Sequence, residues 1–231
     1  MRATTGLLSL LLLLGMAAWE APSPAAAQGA PPAPMLRGRE LVEALRGGGY
    51  VVYFRHATTD SSQADTDREN LERCDTQRNL SAEGRRMARD IGQAFRALGI
   101  RVGKVISSPY CRAVDTAELA FGRPEKSASL YFAIGADREA RAQLSADLRR
   151  MLATAPAAGT NTVLVSHHAN LKEATGLWPK REGDAHVFRP RPGGAFEHVG
   201  EAGPEDWPRW ARDAADGDRP AGPRRAESGA R

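Results

Sequence analysis

The sequence has little cysteine, little lysine and few aromatic residues. Two of its 231 residues are cysteine and 6% are aromatic. Two cysteines allow at most one disulfide, and neither CxxC nor HExxH occurs, so the usual zinc spacings are absent. Lysine stands only at Lys104, Lys126, Lys172 and Lys180, so the basic charge is mostly arginine. It forms no dense stripe interleaved with aromatics, which argues against a nucleic-acid partner. No apolar run reaches the roughly 20 residues that a membrane span needs. No internal repeat is visible.

What is present starts at the N-terminus. Arg2 precedes a nearly unbroken apolar stretch from Leu7 to Ala18, and Ala25-Ala26-Ala27 follows as a small-residue cleavage pattern. Residues 1–27 are therefore expected to be a secretory signal peptide, and the mature chain to be periplasmic or secreted with no membrane span. Loss of Arg2 and Glu20 cancels, so the formal net charge stays at +4, a balance that suits an anionic substrate. Residues 28–34 read as a Pro-rich linker, 35–211 as one domain and 212–231 as a disordered Arg/Ala/Gly/Pro/Asp tail. An oxidising compartment lets Cys74 and Cys111 pair, which would pin a loop onto the domain; two unrelated small buried residues are the other reading.

Strand-like runs alternate with helical periods. Leu36 to Leu45 is an amphipathic helix stopped by Gly47-Gly48-Gly49, and a strand follows at Tyr50 to Phe54. Residues 57–79 are polar and read as a long functional loop. Ser81 is the expected N-cap of a helix with Met87, Ile91, Phe95 and Leu98 on one face. Further strands are expected at 102–107, 128–132 and 162–166, helices at 111–119, 137–153 and 170–176, and an edge hairpin at 186–189 and 195–199. The pattern gives an α/β fold: a three-layer sandwich with a mostly parallel central sheet flanked by helices.

The chemistry sits at the strand ends. Tyr50 to Phe54 stops on Arg55-His56, 162–166 stops on His167, and 102–107 runs through Ser107-Ser108-Pro109 into a helix carrying Arg112. In open α/β sheets ligands bind outside the carboxyl ends of the strands. Histidine can be a nucleophile toward phosphorus, and arginines can clamp the phosphoryl oxygens in pairs. His56, Arg55, Arg112 and His167 are thus the candidate catalytic and phosphate-binding set. No metal ligand set is read from the histidines, His186 and His198 in the hairpin read as incidental, and no cofactor is expected.

These motifs resemble the histidine phosphatase superfamily, which includes phosphoglycerate mutases and acid phosphatases, and in detail its secreted members. The matching segments are Arg55-His56-Ala57-Thr58-Thr59, Asn79-Leu80-Ser81-x-x-Gly84, Ser107-Ser108-Pro109-x-x-Arg112-Ala113-x-x-Thr116-Ala117, and Val165-Ser166-His167. The resemblance implies a phosphoglycerate mutase-like fold and a metal-independent phosphatase. His56 would become phosphohistidine, and Arg55, Arg112 and His167 would form the phosphate pocket. Its substrate would be a small-molecule or envelope-glycolipid phosphomonoester. Two departures stand out. Ala57 replaces the usual glycine, and no acidic proton donor stands in either place where the family keeps one. His168 is the candidate donor, with Glu173 and Glu182 as rivals. The alternative is a member of the fold that binds a phosphate ligand without catalysis.

Overall fold

The computed structural model describes residues 35–217, so the expected signal peptide and linker lie outside the described residues. Six strands form one sheet in the order β3-β2-β4-β1-β5-β6. They are β1 (Val51–Arg55), β2 (Val102–Ser107), β3 (Glu125–Lys126), β4 (Asn161–Ser166), β5 (Ala185–Arg191) and β6 (Ala195–Ala202). The four strands β3, β2, β4 and β1 run parallel, while β5 and β6 add an antiparallel hairpin at the β1 edge.

Burial on both faces explains why β1 is so continuously apolar. Val52 and Phe54 point into a core built with Leu41 and Leu45 of α1 (Gly38–Gly47), Ile91 and Phe95 of α2 (Ala82–Ala97), Ala113 and Ala117 of α3 (Cys111–Phe121), and Trp207 of α6 (Asp206–Gly217). Val51 and Tyr53 point the other way, onto Leu148 and Leu152 of α4 (Arg138–Ala153) and Leu171 of α5 (His168–Thr175). Two helical layers thus sandwich the sheet. Among the described residues no helix is long and apolar enough to cross a membrane.

The entry to α2 shows why its sequence must read Ser-x-x-Gly. Ser81 Oγ accepts from Gly84 N at 3.0 Å, an N-cap bond. A Cβ on Gly84 would stand 1.9 Å from the Thr58 carbonyl oxygen, so only glycine lets the helix approach the chain just after His56. Asp137 caps α4 the same way, accepting from Ala140 N.

Three expectations change. The strand expected at 128–132 is absent. β3 covers only Glu125–Lys126, and 128–130 is a single 3₁₀ turn. Side chains take the carbonyls that a ladder would use: Ser166 Oγ donates to Leu130 O, and Asn170 Nδ2 donates to Tyr131 O. Second, α5 starts at His168, not at Asn170, so His167 is its N-cap. Third, α6 runs to Gly217, so residues 212–217, expected in a disordered tail, are helical. Its periodicity rests on Trp207 and Trp210, which pack on the α2 side of the core. Residues 218–231 lie outside the described residues.

Candidate active site

Parallel pairing brings the two candidate histidines together. Arg55 on β1 is in register with Ser166 on β4, so the next residues, His56 and His167, leave the sheet side by side. His56 N donates to Ser166 O at 2.9 Å, and Ser108 N, just past β2, donates to Val165 O at 2.8 Å. The imidazole centroids of His56 and His167 are 5.4 Å apart. Both rings are buried, at 2% and 0% exposure.

The backbone contact of the His56 ring selects its tautomer. His56 Nδ1 lies 3.0 Å from Ala57 O. A carbonyl only accepts, so Nδ1 carries the proton and Nε2 keeps its lone pair. Burial, then the nearby Arg112 charge, holds the pKa of His56 well below the ordinary histidine value, so the ring is neutral at physiological pH. His167 Nε2 lies 2.8 Å from Ser108 Oγ, and its buried Nδ1 has no partner. Burial, then His56 and Arg112, holds His167 low as well. Tyr53 Oη fixes its backbone by donating to His167 O at 2.7 Å.

Two guanidiniums face this pair. Arg112, 1% exposed in the first turn of α3, donates from Nη1 to Asp65 Oδ1 at 2.9 Å and from Nη2 to Asp65 Oδ2 at 3.2 Å. Nη1 also reaches Arg78 O at 3.3 Å, and the Tyr110 ring lies 4.5 Å from the guanidinium carbon. Asp65 therefore grips the end of the guanidinium and leaves its buried Nε without a partner. Arg55 repeats the arrangement. Its Nη1 donates to Lys180 O at 2.9 Å, its Nη2 lies 3.5 Å from Glu182 Oε1, and its buried Nε has no partner. Two guanidinium Nε donors and the Nδ1 of His167 thus lie unpaired beside the neutral ring of His56. Such groups are costly unless something accepts from them.

The 57–79 loop is built to hold Asp65 in place. Cys74 and Cys111 form a disulfide with Cα atoms 5.7 Å apart. Buried Gln77 accepts from Cys111 N at 2.9 Å and donates to Leu71 O at 3.0 Å, while Asp65 Oδ1 accepts from Arg78 N. Thr116, one turn after Arg112, accepts from Ala57 N at 3.0 Å and donates to Arg112 O at 2.7 Å, tying the two motifs together. Ala57 itself is unstrained: among the described residues no non-glycine residue has positive φ.

The candidate proton donors are placed less favourably. His168 is partly buried, stacked near Trp178 at 4.8 Å, and burial followed by Arg55 lowers its pKa. Its imidazolium is therefore scarce at neutral pH. Glu182 is close to the pocket, but both its oxygens accept from Thr59, at 3.0 Å from N and 2.8 Å from Oγ1, and Arg78 Nη2 lies 3.7 Å away. Glu173 is exposed on α5. Sequence reading missed Asp65, Arg78, Ser108 and Tyr110. Asp65 and Arg112 are 47 positions apart, and no local pattern couples them.

Residues 51–130 match the model of the histidine phosphatase superfamily, branch 1. No curated protein matches the sequence. Solved structures with a similar fold include the protein histidine phosphatase SixA complexed with tungstate, at 15% identity, 68% of this chain, 98% of that one and a TM-score of 0.47. A phosphoserine phosphatase from Entamoeba histolytica in complex with phosphoserine shares 16% identity over 68% of this chain and 98% of its own, with a TM-score of 0.48. A mycobacterial glucosyl-3-phosphoglycerate phosphatase shares 15% over 68% of this chain and 100% of its own, also at 0.48.

Proposed function

We propose that this chain, which belongs to the histidine phosphatase superfamily, hydrolyses phosphomonoesters through a phosphohistidine on His56. The observation that carries this reading is the set of unpaired buried nitrogens, Arg55 Nε, Arg112 Nε and His167 Nδ1, around a histidine whose Nε2 lone pair is free to attack. A phosphoryl group supplies the acceptor oxygens they need. Nε2 of His56 attacks phosphorus, the P–O bond to the alcohol breaks, and the departing alkoxide takes a proton from water. Water then attacks phosphorus, the P–N bond breaks, and inorganic phosphate leaves with His56 restored. Arg55 and Arg112 supply the positive charge that a metal would otherwise bring, and neutral His167 adds a ring nitrogen beside them, so the reaction is metal-independent.

The leader-like residues 1–27 and the Cys74–Cys111 disulfide support a secreted or periplasmic setting. The substrate is a small-molecule or envelope-glycolipid phosphomonoester. Because His168 is neutral and Glu182 is engaged, esters with good leaving groups are expected to turn over fastest.

The test is phosphate release by the purified protein from an aryl and an alkyl phosphate, in EDTA, beside His56→Ala. Release from the aryl ester, with acid-labile phosphate trapped on wild type but not on His56→Ala, is expected. Tight vanadate binding with no release from either ester would replace this reading by that of a non-catalytic phosphate-ligand binding protein.

A further inference from the structure

The second histidine pair, His186 and His198, lies on the β5–β6 hairpin and takes no part in the reaction above. The two strands pair out of simple alternation: Val187 is opposite Gly200, but Phe188 is opposite His198, so Val199 is an extra residue. In a regular strand residues 198 and 201 would face opposite sides. The bulge changes that. Val199 and the Cα of Gly200 both turn toward the α1 side of the sheet, where Val199 joins the core and a Cβ on Gly200 would meet Leu41. His198 and Glu201 are thereby both aimed at the other face, beside His186. Bulges that re-aim side chains in this way are common next to functional sites.

The three side chains converge. Nδ1 of His186 lies 3.1 Å from Nε2 of His198, and one carboxylate oxygen of Glu201 falls within the same 4.8 Å cluster. Two imidazole nitrogens bound to one tetrahedral zinc at ordinary bond lengths stand about 3.3 Å apart, so the pair is nearly at ligand spacing as it stands. Glu201 is exposed and can close the remaining distance by a rotamer change, whereas His186 is buried and held by its pairing with Tyr53 on β1. His186 and Glu201 also border a cavity of about 570 Å³ that takes in Trp178 and Lys180, while His198 lines a separate recess with Phe188 and Phe196.

We propose that His186, His198 and Glu201 form a binding site for a divalent transition-metal ion of the zinc class, with water completing its coordination. Two histidines and one carboxylate form a donor set that zinc accepts, and the fourth position stays open. The site is separate from the phosphate pocket, so metal-independent turnover and metal binding coexist in one chain. An ion here would clip the edge hairpin and would add a Lewis-acidic centre to the cavity wall.

The test is calorimetric titration of the purified, metal-stripped protein with zinc chloride near neutral pH, on wild type, His198→Gln, Glu201→Gln and His56→Ala. One saturable equivalent is expected on wild type and on His56→Ala. His198→Gln and Glu201→Gln should each weaken it by at least about tenfold. Glu201 is exposed, so its variant reports on the site even if His198→Gln folds poorly. Absence of saturable binding below about 100 µM would overturn the proposal, since a built site binds far more tightly. So would an affinity unchanged in both hairpin variants, or one lost in His56→Ala, which would place the ion in the phosphate pocket. None of these outcomes depends on whether the protein hydrolyses phosphate esters.

Discussion

The molecule carries two histidine pairs on neighbouring strands, and they are arranged for ligands of opposite sign. In the pocket, His56 and His167 keep their rings 5.4 Å apart and are surrounded by Arg55, Arg78 and Arg112. In the hairpin, the rings of His186 and His198 bond to each other at 3.1 Å beside Glu201. Burial alone does not distinguish them, since all four imidazoles are lowered in pKa with desolvation as the first cause. The surrounding charge does. Arginines with unpaired Nε atoms make the first pair an anion site, and a carboxylate makes the second a cation site. The tautomers follow suit: the pocket fixes one lone pair on His56 for attack, while the hairpin points two nitrogens at one spot.

The comparison breaks most severely at Arg112. Arg112→Ala removes a buried donor aimed at the phosphoryl group and leaves the Asp65 carboxylate without its guanidinium partner. Loss of one such donor costs about 10²- to 10³-fold in turnover, and the uncompensated Asp65 adds to the loss. The measurement is kcat/KM for an aryl phosphate, with zinc titration of the same variant as control. Zinc binding at the hairpin should be unchanged; a parallel loss there would mean that the two sites are one cooperative unit.

The next prediction separates how the two pairs are held. The hairpin pair rests on a strand ladder, but the pocket depends on a loop closed by Cys74–Cys111 across 37 positions. Closing a loop of that length stabilises the fold by about 2–4 kcal/mol through the unfolded chain. Cys74→Ser with Cys111→Ser should lower the unfolding free energy by that amount and raise KM, because Asp65 and Gln77 lose their anchor. A double variant with unchanged KM would show that Gln77 alone holds the loop.

The contrast also marks what the sequence discloses. That His56, Arg55, Arg112 and His167 would converge was legible because each ends or follows a strand, and strand ends are where an α/β sheet presents its chemistry. The Ser81-x-x-Gly84 start of α2 was legible because capping and close approach are local. Asp65 was not, since its partner is set by the path of a 23-residue loop that has no period. The segment 128–132 misled because a short apolar run with two aromatics, Leu130-Tyr131-Phe132, fits a strand and a covering turn equally; Ser166 and Asn170 decide between them by taking its carbonyls. The hairpin cluster was illegible for a sharper reason. His198 and Glu201 are three apart, a spacing that regular alternation puts on opposite faces, and only the Val199 bulge reverses this.

The gentlest test uses pH. His56 and His167 have folded-state pKa values well below the ordinary 6.5, so between 6.5 and those values the unfolded chain binds more protons than the folded one. Stability therefore rises with pH across that window and falls on acidification, by up to about 1.4 kcal/mol per pH unit for each such histidine. A bound phosphate alters this in a predictable direction. Its negative charge offsets Arg112, the second-ranked cause of the lowering at His56, and so raises the pKa of the pocket pair toward 6.5. The slope of unfolding free energy against pH should then be shallower in saturating phosphate than without it. Denaturant unfolding across the acid side of pH 6.5, with and without phosphate, measures both slopes. An equal slope in the two series would place phosphate somewhere other than between the pocket histidines.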